Sequence, residues 1–296
     1  MEPLECLANW EIPRAEQEVS LRDCMLYALT VGLGSRPSDP GHLKFTSEFQ
    51  TEIVPSMVLS LAAPGFWFKD PKLGLDWAKL LNVAQSIEIG RLPVLPAKLR
   101  SSSRVVEIID KGRDKGAIVA WERILWTGSE REPCAIVTST VLLRGDGSQK
   151  RTIRSGAVNH VYGAAPARAP DRVVEIATAP NSGLLYRLNG TLNPLHADPA
   201  VAIAAGFPRP IMPGTASIGF ICAVVLECAC GFDPNLLRSL GARLTAPIYP
   251  GDRLRCELWL EGEQVSFKVI AAERNVVVLE DGRARIAPRV DLQATG

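Results

Sequence analysis

The chain has 296 residues, 47% of them apolar, with 33 basic and 32 acidic side chains and a formal net charge of +1. That length gives room for one large domain or two ordinary ones with packed cores. The even charge balance, without a basic stripe, argues against nucleic acid as a partner and gives no reason to expect a membrane surface.

The first predicted element is a helix over LRDCMLYALTVGL, with Leu21, Met25, Ala28 and Leu29 at helical spacing and Gly32 and Gly34 ending it. The loop SRPSDPGH follows. VPSMVLSLAA then reads as a short helix with Pro55 near its start, closed by Pro64 and Gly65. Four strand-like runs come next: Val83 to Ile89, Ser103 to Asp110, Ala117 to Leu125 and Cys134 to Leu143. Their Val, Ile and Thr content and partial alternation predict an antiparallel sheet with one covered face.

The segment 151–171 is polar and aperiodic and reads as a linker, with His160 inside it. It separates an N-terminal domain, 1–150, from a C-terminal domain, 172–296. The second half repeats the order of the first. VVEIAT predicts a strand. AVAIAAGF predicts a short helix with Asp198 as its cap, Pro199 in its first turn and Gly206 at its end. TASIGFICAVVLECACG predicts a longer helix, apolar on most faces and therefore buried. Strands over LGARLTAPI, RLRCELWLE, QVSFKVIAAE and NVVVLEDGRARI complete the chain. The fold class is α+β: two antiparallel sheets, each wrapping a central helix.

Chemistry concentrates between Tyr186 and Gly214. His196, one of three histidines, is the candidate proton carrier, because imidazole titrates near neutrality. Asn193 stands three residues earlier, placed to orient the ring or bind a substrate oxygen. Gly214 opens the long helix, where free N–H groups and the dipole favour negative charge. Glycine there lets a thioester oxygen approach the backbone, so that an enolate forms in an oxyanion hole. A plain turn glycine is the alternative. Dispersed histidines and seven cysteines without a CxxC pair imply no metal, and no Gly-rich phosphate loop implies a nucleotide, so no cofactor is expected. The cysteines read as small apolar residues of a reducing compartment. The N-terminus lacks a secretory pattern, no run is apolar enough to span a membrane, and DLQATG is not a peroxisomal address. The expected location is the cytoplasm.

The motif Tyr186-Arg187-Leu188-Asn189-Gly190-Thr191-Leu192-Asn193-Pro194-Leu195-His196-Ala197-Asp198-Pro199, followed by Ala205-Gly206-Phe207-Pro208-Arg209-Pro210-Ile211-Met212-Pro213-Gly214, closely resembles the signature of MaoC-like, (R)-specific type 2 enoyl-CoA hydratases. In the first half, Arg22-Asp23, Val54-Pro55, Gln85-Ser86 and Leu142-Leu143-Arg144-Gly145 resemble the N-terminal half of that family's long members. The resemblance implies two tandem hot-dog folds. The second would carry the catalytic residues, and the first, degenerate one would accommodate an acyl chain. It implies catalytic roles for His196, Asn193 and Gly214. Thr191 falls where the family has its catalytic aspartate, Pro213 replaces a histidine, and Asn82-Val83-Ala84-Gln85 stands where many relatives have His-Gly-Glu-Gln.

A threonine hydroxyl is no general base near neutral pH; it holds a water or a substrate oxygen by hydrogen bonds. Three readings follow. One is a hydratase or dehydratase-type lyase acting on an enoyl or 3-hydroxyacyl thioester through His196. Another is a repurposed enzyme of enolate chemistry: an isomerase, epimerase or cyclase. The third is a non-catalytic partner subunit. Arg243, for the phosphates of coenzyme A or a carrier arm, and Tyr186, which opens the motif, are the candidate substrate-binding residues. Arg253 is a further basic candidate, and Trp67 reads as channel lining or core. The protein is expected as a monomer or a homodimer.

Overall fold

The computed structural model describes residues 2–128, 132–158 and 161–288. His160 and the C-terminal DLQATG lie outside them. A short helix α1 (Pro3–Ala8) and a strand β1 (Ala15–Val19) precede α2 (Leu21–Thr30). Ser20 and Asp23 start α2 reciprocally. The Asp23 N–H donates to the Ser20 hydroxyl at 3.3 Å, and the Ser20 N–H donates to the Asp23 carboxylate at 2.9 Å. Two otherwise orphaned donors are thereby satisfied. The loop expected before residue 50 holds α3 (Pro40–Thr46), capped by Asp39. The helix expected around Pro55 is a 3-10 helix, Pro55–Leu59, with all five residues buried.

The four predicted strands are β2 (Leu80–Ile89), β3 (Ala97–Asp110), β4 (Ala117–Thr127) and β5 (Ala135–Leu143). The segment read as a linker is partly regular: β6 (Arg151–Arg154) pairs with the end of β3. Alternating half-exposed and exposed residues on an edge strand gave no apolar pattern to detect. In the second half come β7 (Arg172–Ala177), α4 (Ser182–Arg187), α5 (Pro199–Ala204) and α6 (Gly214–Cys228). Four strands follow: β8 (Leu237–Leu244), β9 (Arg253–Glu261), β10 (Gln264–Ala271) and β11 (Val276–Ile286).

The strands form one antiparallel sheet in the order β1-β3-β4-β5-β2-β8-β11-β10-β9-β7. Read outward from the centre, the halves have the same topology, with β8 taking the place of β2 and β7 that of β1. They meet where β2 and β8 pair antiparallel, Ser86 opposite Gly241. A Cβ at Gly241 would overlap the Val161 carbonyl oxygen and lie 2.7 Å from Ser86 Cβ, so this joint requires glycine. α6 packs against β8, β2 and the 3-10 helix. From Ala216 to Leu226 only Ala223 is not fully buried. Each buried Ile, Leu or Phe there contributes roughly 1.5–3 kcal/mol. The first half has only the 3-10 helix in the corresponding position, and the space beside it bears on the site.

Candidate active site

The motif loop is shaped by its caps. Asn193 stands before a 3-10 helix, Pro194–His196, and its Oδ1 accepts the Leu195 N–H at 3.0 Å. Pro194 supplies the first helical φ without wasting a donor. Asp198 then caps α5, accepting the Ala200 N–H at 2.8 Å, and Gly206 ends that helix at φ 90°. These turns drive His196 into the interior, where it is 7% exposed.

The His196 Nδ1 lies 2.9 Å from the Ile211 carbonyl oxygen. A carbonyl only accepts, so Nδ1 carries the hydrogen and Nε2 keeps its lone pair. Burial lowers the imidazole pKa to about 4; the Ile211 hydrogen bond opposes that shift and the nearby Arg187 charge adds to it. At pH 7 about one ring in a thousand is then protonated. The ring is held as a neutral base.

α6 begins at Gly214, after Pro213. The Ala216 N–H reaches the Pro213 carbonyl at 2.9 Å. The Gly214 and Thr215 N–H groups donate to no acceptor among the described residues. They are the exposed positive end of a buried, fifteen-residue helix. A Cβ at Gly214 would lie 2.6 Å from Leu244 Cδ2 and 3.3 Å from Asn82 Cβ. Glycine fits this close packing, in which a methyl group would displace the Leu244 side chain, and leaves the backbone amide uncovered.

Two cavities meet here. One, of about 210 Å³, runs past Phe207 and along residues 244–248 at the end of β8. The other, of about 170 Å³, lies under Phe66, Trp67 and Phe68 of the first half. Leu80, Asn82, Asn193, His196 and Gly214 line both, and Thr191 lines the second. The structure thus gathers His196, Asn193, Gly214 and Thr191 at one junction. Neither lining includes a carboxylate. The His196 imidazole is the one group in these linings suited to take and give a proton near neutral pH.

Other expectations need correction. Asn193 makes no hydrogen bond to the imidazole among the described residues; its oxygen is used in the cap, and the Ile211 carbonyl fixes the ring instead. Arg243 alternates with Leu244, which faces Gly214, so Arg243 points to the other side of the sheet. There it pairs with Asp281 at 2.9 Å. Arg253 lies between Glu175 and Glu273. Tyr186 is fully buried, its hydroxyl 3.3 Å from Ser60 Oγ, and it lines neither cavity. Trp67 is both buried core and cavity wall. Sequence reasoning missed Ile211, which acts through its backbone and leaves no side-chain signal.

Two sheets of one topology joined edge to edge, with a neutral imidazole beside the free end of a central helix, define a double hot-dog protein. The family model for the MaoC like domain matches residues 161–281, and that for the MFE-2 hydratase 2 N-terminal domain matches residues 18–145. The chain is 33% identical over 295 residues to a peroxisomal enoyl-CoA hydratase 2 of Arabidopsis thaliana, covering 93% of each. It is 31% identical over 293 residues to enoyl-CoA hydratase ChsH3 of Mycobacterium tuberculosis, covering 93% of this chain and 96% of that one. A crystal structure of a MaoC-like dehydratase from Phytophthora capsici superposes with a TM-score of 0.81 at 25% identity, over 97% of this chain and 99% of that one. The chain belongs to the family of MaoC-like, type 2 enoyl-CoA hydratases.

Proposed function

We propose that the protein is a lyase that adds water to, or removes it from, an acyl thioester. The observation that carries this reading is the shared junction of a neutral His196 and the uncovered Gly214 amide. In hydration, Nε2 of His196 takes a proton from water as its oxygen bonds to the β carbon. The thioester oxygen gains enolate charge beside the Gly214 N–H. The imidazolium then returns a proton to the α carbon. Dehydration runs the steps in reverse. Thr191 and the Asn193 amide nitrogen hold the water. Without a second acid-base group, turnover is slower by on the order of 10²–10⁴ than with a full pair.

The first cavity takes the thioester arm and the second the acyl chain. Arg144 supports the former. It is exposed, donates to the Lys79 carbonyl at 3.1 Å and to the Ala205 carbonyl at 3.4 Å, and so bridges the two halves through close sequence neighbours of Leu80 and Phe207, which line that cavity. No acidic side chain pairs with it among the described residues, which leaves its charge for a phosphate of coenzyme A or a carrier arm. Because β2 and β8 satisfy each other's edges within one chain, a monomer is a sufficient unit. Seven free cysteines support a reducing, cytoplasmic setting, which imaging of a tagged full-length chain tests.

The lack of any carboxylate in the cavity walls also supports a second reading, enolate chemistry without water addition. Incubation with enoyl-CoA thioesters in deuterium oxide separates the two. Loss of the double bond, abolished by His196→Ala, is expected for the lyase. Exchange at carbon without hydration favours the second reading. Full turnover in His196→Ala rejects both.

A further inference from the structure

An enolate oxygen has lone pairs for more than one donor, and Gly214 offers it a single backbone N–H. A side chain of the first half stands beside that glycine. Asn82 of β2 lines both cavities, as Gly214 does. A Cβ at Gly214 would lie 3.3 Å from Asn82 Cβ and 3.8 Å from Asn82 Cγ, which puts the carboxamide next to the start of α6.

A bulge in β2 aims it there. Asn82 pairs with Val141 and Ala84 with Thr140, so residues 83 and 84 stand against one residue of β5. On a regular strand, side chains three apart point to opposite faces. The extra residue brings Asn82 and Gln85 to one face, where Gln85 Nε2 donates to Asn82 Oδ1 at 3.1 Å. Ser139, opposite Gln85 on β5, donates its hydroxyl to Gln85 Oε1 at 2.9 Å. Gln85 and Ser139 are both buried, so this relay is held within the wall. It runs in one direction, and each step spends an acceptor. What remains at its end is a donor, Asn82 Nδ2. That nitrogen meets no acceptor among the described residues. It also keeps open surface, whereas the indole nitrogens of Trp67 and Trp121 in the same wall are sealed. Because Asn82 lines both cavities, that surface opens onto their junction.

We propose that Asn82 is a catalytic residue: its Nδ2 is the second donor of the oxyanion hole, beside the Gly214 N–H. Gln85 and Ser139 are positioning residues that hold the carboxamide with its nitrogen toward the thioester oxygen. The inference rests on the thioester reading above and adds that the first half supplies a group to the chemistry of the second.

The test uses 3-oxoacyl thioesters, which cannot be hydrated at a double bond and which lose an α proton to solvent to give an enolate that absorbs in the near ultraviolet. Acetoacetyl- and 3-oxodecanoyl-coenzyme A are titrated with pH while bound to the full chain. The unaltered protein is expected to raise the enolate-to-ketone ratio of at least one of them above that of the free ligand. Asn82→Ala is expected to cut that ratio about tenfold or more, the scale of a lost hydrogen bond to a charged oxygen. Asn82→Asp, of the same shape and opposite charge, is expected to cut it further and to lower hydration of crotonyl-coenzyme A. Gln85→Met, which leaves Asn82 in place and frees its amide to turn, is expected to cut the ratio by a smaller factor. Should Asn82→Ala fail to fold, Asn82→Asp decides. An unchanged or raised ratio in folded Asn82→Ala, or hydration that rises in Asn82→Asp, overturns the inference and leaves the thioester reading standing. Failure of the unaltered protein to bind either ligand, or to raise its enolate ratio, overturns both.

Discussion

His196 and Ile211 meet through Nδ1 and a backbone carbonyl 2.9 Å apart, and that contact leaves Nε2 as the nitrogen with a free lone pair. With the pKa lowered to about 4, the base form persists through the neutral range. Turnover limited by this base is expected to be flat from about pH 5.5 to 8 and to fall below about pH 4.5. A half-activity point near 6.5 in the pH profile of kcat/KM would show the ring solvated.

The same burial couples folding to pH. The unfolded ring, near pKa 6.5, binds a proton that the folded ring refuses down to about 4. Stability from this group is therefore complete above 6.5 and is lost as pH falls through that window. The loss is on the order of 3 kcal/mol. His196→Gln is expected to flatten that part of the denaturation profile, measured by urea unfolding from pH 7 to 4.

Gly214→Ala puts a methyl group 2.6 Å from Leu244 Cδ2. Overpacking of this kind costs about 1–3 kcal/mol and pushes the amide away from the junction. Activity is expected to fall by on the order of 10²-fold, the scale of a lost oxyanion donor. The double variant with Leu244→Ala is expected to regain stability, and thermal melts with parallel rate measurements separate the two effects.

Thr191 lines the second cavity in a wall without carboxylates. Thr191→Asp is expected to raise hydration of crotonyl-coenzyme A by on the order of 10²-fold. Thr191→Val, which keeps the shape and removes the hydroxyl, is expected to lower it. An aspartate that leaves the rate unchanged would place the water elsewhere.

Arg144 spans both halves through the Lys79 and Ala205 carbonyls and is the basic group proposed above for the phosphate. Arg144→Ala is expected to raise KM for coenzyme A thioesters several-fold with kcat nearly unchanged, the pattern of lost uniform binding. That increase should shrink as salt is added.

Much of this architecture was legible because its longest elements carry strong patterns. The strands β2 to β5 are rich in Val, Ile and Thr with partial alternation, and α6 is apolar almost all round, the mark of a buried helix. The cap at Asp198 and the stop at Gly206 followed from residue type alone. The edge strands β1 and β6 escaped notice because their outward residues are polar and half-exposed. At the site, the structure brings His196 and Gly214 to one junction and turns Arg243 away from it. The neighbour of Arg243, Leu244, faces Gly214, and the side of a strand that faces a cavity is set by register. The carbonyl of Ile211 depends on a contact between residues 196 and 211, which no local pattern records.

The antiparallel seam between β2 and β8 has a genetic corollary. Were the halves separate identical chains meeting at such a seam, every change on one side would appear on the other, and a pair would carry two equal sites. Tandem linkage lifts that constraint. One half can keep a long helix and its amide end, while its twin loses the helix and opens a chamber. Asymmetry of this kind is closed to a pair of identical chains.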